Sequence, residues 1–263
     1  MFGKNNKNAT KQGKSRVAEV GWVIEAQSAG FIWDAPKKFG RTEPGSTYAK
    51  SVRYCPAVIE HESRMFEVTC PIDVELSFYW DQQGLPRVQL VGQSQSGIRP
   101  DALARMIVMG DRKEWRDENR PLIQFITPYH FIADEQMYLT QMPPFNHYRS
   151  PQLPGVLIGG RLPIDVWPRQ MMWAFEWHDT SQNLVLKRGE PWFYVRFEPN
   201  DPSRPVRLVE AEMTEDLREY LKGMSAVANY VNRTYSLFNT ARARRPAKLL
   251  VPKKRGTATA DED

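Results

Sequence analysis

Side chains that alternate between apolar and polar are the feature that most constrains what this chain can fold into. In "FEVTCPIDVELSF", residues 66–78, every second residue is apolar or Cys, and most residues between them are acidic or hydroxylic. Successive side chains of an extended strand point to opposite faces of a sheet, so this stretch predicts a half-buried antiparallel strand. Because Pro71 has no N–H to donate, it predicts an edge, a bulge or a break between two strands.

The same alternation returns in "MMWAFEWHDTSQNLVLKRGEPWFYVRFEP", residues 171–199, on both sides of a turn at 188–191. Two strands are predicted here, each with its large apolar side chains on one face. Burying one such side chain contributes about 1.5–3 kcal/mol, so we expect this stripe to form a core rather than the floor of a catalytic site. The stripe consists of Met171, Trp173, Phe175, Trp177, Phe193, Val195 and Phe197.

Other short segments have the composition of strands and are separated by the turn-forming residues Gly, Pro, Asn and Asp. They are "VGWVIEA", "SVRYCPAVIE", "LIQFITPY", "QMYLTQM", "GVLIGG" and "NLVLK". This spacing predicts a mainly β domain over residues 17–241, an antiparallel β-sandwich or a jelly-roll-like barrel. Apolar residues at helical spacing predict a long C-terminal α-helix over 214–241, with Thr214 as N-cap, and a shorter helix over 100–118.

Both ends of the chain are basic. Residues 1–16 contain five Lys or Arg and 241–256 contain seven, without an acid in either segment. Since these segments have few large apolar side chains, we predict disordered arms over 1–16 and 242–263. Flexible cationic arms either bind nucleic acid weakly and without sequence preference or serve only as solubilising tails. The polyanion-binding candidates are Lys4, Lys7, Lys11, Lys14, Arg242, Arg244, Arg245, Lys253, Lys254 and Arg255.

Bulk composition narrows the class of protein. With 41% hydrophobic and 25% charged residues, the chain has the composition of a globular protein in water. No stretch approaches the roughly 20 apolar residues of a bilayer span, and the basic N-terminal segment lacks the apolar region of a secretory signal. We therefore expect no membrane association and a cytoplasmic location. The two cysteines, Cys55 and Cys70, are too few for a disulfide framework and are predicted to be buried.

The segment "KSVRYCPAVIEHESRMFEVTCPIDVELSF" resembles a group of uncharacterised proteins of tailed bacteriophages and some bacteria. That group shows Cys-Pro, then small and apolar residues and an acid, which are residues 55–60 here, and then an amphipathic strand. The resemblance continues through "LIQFITPYHF", "QMPPFNHY", "LPGVLIGG" and the Arg-Gly-Glu-Pro turn at 188–191, and covers about residues 50–200 and the closing helix. It implies a phage or bacterial origin, and it implies no activity and no functional residue.

Motifs of several enzyme classes are absent from the sequence. There is no Gly-x-x-x-x-Gly-Lys-Ser/Thr phosphate loop and no Gly-x-Gly-x-x-Gly dinucleotide loop. There is also no Gly-x-Ser-x-Gly nucleophile elbow and no His-Glu-x-x-His zinc motif. The absence of these motifs argues against an NTPase, a dinucleotide oxidoreductase, an α/β-hydrolase and a zincin protease.

A metal site is the main candidate for chemistry. Glu176 and His178 are two residues apart on a predicted strand, so both face away from the aromatic stripe, about 7 Å apart along the backbone. A carboxylate and an imidazole at that spacing can supply two ligands of a facial triad for Fe(II), with His130 or His147 as the third ligand. Jelly-roll oxygenases carry such triads, although their histidine usually precedes the carboxylate. The alternative is a solvated polar face.

His147 also lies in the Pro-rich segment "MPPFNHYRSP", which is either a functional loop or a surface loop whose prolines set its path. These observations leave two functions of different class. The first is a non-enzymatic phage or bacterial accessory protein whose helix or aromatic surface docks a protein partner, without a cofactor and with weak polyanion binding by the arms. The alternative is a mononuclear non-haem iron oxygenase of jelly-roll type.

Overall fold

Strands dominate the computed structural model, which describes residues 16–25, 31–41, 48, 50–92, 104–228 and 234–254. The helices are α1 Pro56–Ser63, α2 Glu215–Ala228 and α3 Thr234–Arg244. The strands are β1 Ala18–Ile24, β2 Lys37–Lys38, β3 Met65–Thr69, β4 Val74–Trp80, β5 Pro86–Leu90, β6 Ile107–Met109, β7 Leu122–Ile132, β8 Met137–Met142, β9 Gly155–Leu157, β10 Gly160–Pro163, β11 Gln170–Trp177, β12 Leu184–Leu186, β13 Pro191–Pro199 and β14 Val206–Glu210. The prediction of a mainly β protein is confirmed.

Two larger sheets face each other across the core. The first has the strand order β14-β1-β7-β11-β9, with β6 also paired to β7, and the second has the order β10-β8-β13-β3-β2. Rings from the two sheets meet, as Phe131 and Phe197 do with centroids 5.4 Å apart. The pair β1–β14 is parallel, so the first sheet is mixed rather than purely antiparallel as predicted. The jelly-roll connectivity stays a prediction.

The aromatic stripe within 171–199 lies in the centre of the core, as predicted. All seven of its members belong to one cluster of buried side chains. β11 and β13 do not pair with each other, because β11 lies in the first sheet and β13 in the second. The register of β13 shifts between Pro191 and Phe193, and Trp192 in this bulge is also buried. The rings of Trp173 and Trp192 meet across the two sheets with centroids 5.6 Å apart.

The predicted break at Pro71 separates strands that belong to different sheets. β3 lies in the second large sheet, whereas β4 joins β12 and β5 in a small sheet of three strands. Alternation continues on both sides of the break, since Val68 and Val74 are both buried in the main core. Cys70 is buried next to the break, but Cys55 is exposed at the start of α1, so the prediction of burial holds for one cysteine only.

The single helix predicted over 214–241 is replaced by α2 and α3. The hydroxyl of Thr214 accepts a hydrogen bond from the N–H of Leu217 at 3.2 Å, as its predicted role of N-cap requires. The Tyr220 hydroxyl donates to the carbonyl of Ala241 at 3.2 Å. In one continuous helix these two residues would lie about 30 Å apart, at about 1.5 Å per residue, so a single helix cannot contain both. Side chains of both helices pack against the outer face of the first sheet.

The basic segment after α3, predicted to be disordered from residue 242, is packed as far as residue 254. Leu249 and Leu250 are buried with side chains of α2 and α3. The carboxylate of Asp134 accepts hydrogen bonds from the N–H groups of Leu249 at 2.7 Å and Leu250 at 3.2 Å. Ordering this segment costs conformational entropy, and its polar residues gain little from burial. The burial of Leu249 and Leu250 compensates for this cost.

Two local predictions are wrong. The strand predicted over 51–60 is a 3-10 turn followed by α1, because Pro56 in the first turn of a helix needs no partner for an N–H. The helix predicted over 100–118 is present in the described residues only at 104–106 and then gives way to β6, because the β-branched Ile107 and Val108 pair with β7. A short apolar segment is compatible with the side-chain spacing of a helix and of a strand. Whether it can pair with a neighbouring strand therefore decides which of the two it forms.

Candidate functional site

Glu176 and His178, two of the predicted metal ligands, meet on the face of β11 opposite the aromatic stripe. The Nε2 of His178 lies 2.9 Å from Oε1 of Glu176. Arg116 approaches the other oxygen, since its Nε donates to Oε2 of Glu176 at 2.5 Å. Glu176 is only 3% exposed. Side chains of the protein therefore engage both carboxylate oxygens.

The buried carboxylate of Glu176 pairs with two partly exposed side chains, Arg116 and His178. Burial alone would raise the pKa of Glu176, but hydrogen bonds from Arg116 and His178 outweigh burial and hold the pKa below its usual value. The carboxylate is therefore ionised at neutral pH, and it ties β11 to the segment that follows β6. A small cavity of about 180 Å³ adjoins this pair and is lined by Glu114, Trp115, Arg116, Arg120, Leu122, Ile158 and Glu176.

His130 lies far from Glu176. β7 places Leu122 opposite Glu176, and His130 follows eight residues further along the same strand. At about 3.3 Å per residue, this separation is about 26 Å. Burial lowers the pKa of His130 to about 4, so its imidazole is neutral at pH 7. Its Nδ1 is buried and has no hydrogen-bond partner among the residues that the structure describes.

The four predicted iron ligands thus lie in three places. His147 lies in the loop after β8, with its Nε2 3.7 Å from an oxygen of Glu190. A facial triad requires three ligands around one metal ion. Within the described ranges, no group of three His, Cys, Asp or Glu side chains is arranged to hold a metal. The geometry brings together only Glu176 and His178.

A polar cavity of about 260 Å³ lies over the outer face of the second sheet, beside the Pro-rich loop 143–150. Its floor is a cross-strand pair, Glu67 on β3 and Tyr194 on β13. The Tyr194 ring also contacts Phe39 at 5.3 Å and Phe145 at 5.5 Å between centroids. Loops held on a rigid sheet are a common location of binding residues. This space, the His147 cavity, is lined by Phe39, Gly40, Arg41, Glu67, Asn146, His147, Pro191 and Tyr194.

Glu67 is the least satisfied charged group of the His147 cavity. Its side chain is half-buried and forms no hydrogen bond or ion pair with the residues that the structure describes. Burial raises the pKa of Glu67, and the nearby Lys37 and His147 oppose this effect in part. Burial also raises the pKa of Tyr194 to about 12, so its phenol keeps its proton at neutral pH. The floor of the cavity therefore offers a carboxyl group beside a neutral phenol ring.

The other charges at the cavity already face opposite charges. The Nε of Arg41 donates to both oxygens of Glu62, at 3.0 and 3.1 Å, and the side-chain amide of Asn146 reaches Glu62 at 3.4 Å. The 3.7 Å between His147 Nε2 and Glu190 Oε2 is too long for a hydrogen bond. Both atoms are buried without a partner in the described part of the chain. Arg41 is thus neutralised, whereas His147 and Glu190 keep unused hydrogen-bonding capacity.

Exposed apolar side chains flank the His147 cavity. α1 fully buries none of its side chains against the described residues, although Val58, His61 and Glu62 are half-buried. His61 of α1 contacts the ring of Phe145 at 5.6 Å between centroids, which joins the helix to the Pro-rich loop. Tyr148, directly after His147, is 82% exposed. Aromatic residues are enriched in protein interfaces. This surface, the apolar rim, comprises Ile59, Phe145 and Tyr148, and Val52 and Tyr54 are exposed in the 3-10 turn that precedes α1.

The polyanion-binding candidates differ in what they contact. Arg245 is half-buried, and its Nη2 donates to the carbonyl of Ala133 at 2.7 Å and to Asp134 at 2.8 Å, so it holds the C-terminal segment in place. Lys253 forms an ion pair with Glu210. The exposed candidates are Arg242, Arg244, Lys253 and Lys254. Those outside the described residues are Lys4, Lys7, Lys11, Lys14 and Arg255.

Sequence reasoning identified His147 but missed the residues that surround it. One signal for Tyr194 was present, because "PWFYVRFE" carries rings at positions of both faces, which is typical of a strand covered on both sides. Glu67 resembled the other acids on the polar face of its strand. Arg116 lies 60 residues from Glu176, and no spacing rule connects residues so far apart.

No protein-family model and no curated protein matches this chain. The resemblance to uncharacterised phage proteins therefore stays an expectation. Among the described helices, none has the length and apolar character needed to cross a membrane.

Proposed function

We propose that this protein is a non-enzymatic accessory protein of phage or bacterial origin that docks a protein partner through the His147 cavity and the apolar rim. The observation that carries the proposal is α1, a helix none of whose side chains is fully buried against the described residues, beside a loop with Phe145 and Tyr148 exposed. Apolar surface in water is unfavourable by roughly 25 cal/mol per Å². A partner that covers the rim would remove this cost.

The size of the cavity supports a protein partner rather than a small-molecule substrate. Its volume of about 260 Å³ is below the roughly 300–1,000 Å³ typical of pockets for drug-sized ligands. One side chain of a partner is a better match for this volume. Protein interfaces concentrate their affinity in a few side chains that fill pockets within a surrounding apolar contact. The cavity and its rim have this arrangement.

The iron oxygenase has less support than the interaction role. It requires a third ligand beside Glu176 and His178, and His130 lies about 26 Å further along β7 at the usual rise of a strand. Arg116 also holds one oxygen of Glu176 at 2.5 Å. A guanidinium in a charge-assisted hydrogen bond competes with a metal cation for the same oxygen.

Site-specific photo-crosslinking tests the docking surface. We expect benzoylphenylalanine in place of Tyr148, in the full chain expressed in a bacterial host, to form one covalent adduct with a protein of defined mass. The adduct should disappear when Ile59→Ser is added, because Ile59 is half exposed in the rim and its loss removes apolar contact area. Thermal unfolding should be unchanged by Ile59→Ser, since α1 fully buries no side chain against the described residues.

The matched control is the same crosslinker in place of Tyr79, an exposed aromatic residue on β4 in the small sheet. This position should yield no adduct with that partner. Equal adducts at both positions, or none at position 148, would contradict docking through the rim.

We also propose that the N-terminal arm attracts nucleic acid weakly and without sequence preference. Deleting residues 2–15 removes four lysines. Each phosphate contact contributes about 0.9 to the slope of log K against log salt, so the loss of four contacts should reduce that slope by up to about 3.6 on duplex DNA. Fluorescence anisotropy over a salt series measures the slope. Lys222→Gln, an exposed lysine on α2, is the control and should change the slope by about 1 or less. An unchanged slope after the deletion would rule out a role of the arm.

A further inference from the structure

We propose that the His147 cavity receives a basic side chain of the partner, an arginine or lysine whose charge pairs with the carboxylate of Glu67. This inference rests on the proposed function and names the chemistry of the group that enters the cavity. It is carried by the unpaired carboxylate on the cavity floor, by the rings beside it and by the pairing of the surrounding charges.

The carboxylate of Glu67 is half-buried and accepts no hydrogen bond from the described residues. Half-buried charges are unfavourable unless an opposite charge or hydrogen-bond donors compensate for lost water. Glu67 has no such donor among the described residues, and the positive charges that lower its pKa are those of Lys37 and His147. Lys37, its cross-strand neighbour on β2, is exposed and therefore screened by water. A cation that enters the cavity would meet Glu67 away from bulk solvent, where the attraction is stronger.

The rings of the cavity also favour an organic cation. Tyr194 lies opposite Glu67 in the sheet register but is only 1% exposed, so the half-buried ring of Phe39, which packs against it with centroids 5.3 Å apart, is the ring that a side chain in the cavity would meet. Faces of aromatic rings attract ammonium and guanidinium groups. The same sheet already shows such a contact, because the guanidinium of Arg161 lies 3.7 Å from the ring centroid of Tyr138. A carboxylate beside aromatic rings therefore suits a lysine or arginine side chain.

An anionic group fits the cavity poorly. Arg41, the one arginine of the lining, already donates to both oxygens of Glu62. His147 lies beside Glu190, whose Oε2 accepts no hydrogen bond among the described residues and forms a long ion pair with Nη1 of Arg149 at 3.6 Å. An anion in the cavity would therefore approach the carboxylates of Glu67 and Glu190, and like charges repel.

Titration with two small probes tests the charge requirement. We expect Nα-acetylarginine methylamide to bind the full-length protein with a Kd on the order of millimolar and to shift the backbone amide resonances of Asn146, His147 and Tyr194 in a saturable way. Nα-acetylcitrulline methylamide has the same shape without the charge, and it should bind at least about tenfold more weakly. Equal binding of the two probes would overturn the inference, as would saturable binding of inorganic phosphate to the same amides.

Glu67→Gln is the decisive variant, because glutamine keeps the shape of the side chain and removes its charge. We expect it to weaken arginine binding at least about tenfold with unchanged thermal unfolding, since Glu67 makes no hydrogen bond that the change could break. Glu219→Gln, an exposed carboxylate on α2, should leave binding unchanged. Wild-type affinity in the Glu67 variant would overturn the inference.

The inference and the proposed function fail in different ways. Crosslinking at position 148 without arginine binding would leave the docking surface in place and overturn the basic anchor. Arginine binding without a crosslinked partner would contradict docking but keep the cation site. If deletion of residues 2–15 raises the affinity for the arginine probe, a basic residue of the arm occupies the cavity, and assignment to a partner is overturned.

Discussion

Trp173→Ala is expected to lower the free energy of unfolding by about 3–5 kcal/mol, the usual effect of removing a large ring from a core. Trp173 has no exposed surface, and its ring packs against Phe125 at 5.5 Å, Phe175 at 4.9 Å and Trp192 at 5.6 Å between centroids. Its indole N–H donates to the carbonyl of Trp192 at 3.3 Å. The substitution leaves a cavity between the two large sheets and a carbonyl without its donor. Urea unfolding followed by far-ultraviolet circular dichroism measures the loss.

The control for this prediction is Trp80→Ala. Trp80 is 42% exposed at the end of β4, outside the cluster of buried side chains that contains Trp173. Its replacement should reduce the free energy of unfolding by about 1 kcal/mol or less, because partly exposed side chains lose less contact and less burial. Similar losses for the two variants would contradict the central packing role assigned to Trp173. A loss below about 1 kcal/mol for Trp173→Ala would place this ring in an open cleft instead of a core.

His130 is expected to make the protein less stable as the pH falls from about 6.5 to about 4. The unfolded imidazole titrates near 6.5, whereas burial lowers the folded pKa to about 4. The unfolded state therefore binds the proton more readily, so the contribution of His130 is fully present above the unfolded pKa and is lost as the pH approaches the folded one. The difference of about 2.5 pKa units corresponds to about 3 kcal/mol of unfolding free energy.

Replacing His130 with glutamine isolates this contribution. Other groups also titrate in this range, so the measured quantity is the difference between the pH profiles of the wild type and His130→Gln, from denaturant unfolding at a series of pH values. The variant should lose about 3 kcal/mol less than the wild type between pH 7 and pH 4. Identical profiles for the wild type and His130→Gln would show that the imidazole titrates normally in the fold.

Much of the local structure was predictable from neighbouring residues. The break at Pro71, the N-cap at Thr214 and the buried stripe that contains Trp173 all follow from chemistry within a few residues, and the structure confirms each. Predictions failed where a short apolar segment fitted two periods, as at Ile107, whose strand is decided by pairing with β7. The prediction for the C-terminal arm was wrong for a related reason. Leu249 and Leu250 stabilise this segment only when the rest of the fold supplies an apolar surface against which they are buried.

The candidate sites were less predictable than the strands. Glu176 and His178 were correctly expected to be neighbours, because two residues on one face of a strand lie about 7 Å apart. The position of the predicted third ligand depended on how the strands pair. The register of β7 and β11 places His130 at the opposite end of the sheet from Glu176. His147 was chosen for its loop, but its cavity depends on β3 and β13 being paired.

The sequence by itself determined which segments are extended and which of their faces are buried, because both follow from backbone geometry and the polarity of consecutive side chains. Only the tertiary structure decided which strands pair, and with them which polar groups meet. Glu67 and Tyr194 share a cavity floor because β3 and β13 are hydrogen-bonded in one register. The alternation within each strand is compatible with many other pairings, and a shift of one residue would have sent these side chains to the opposite face of the sheet.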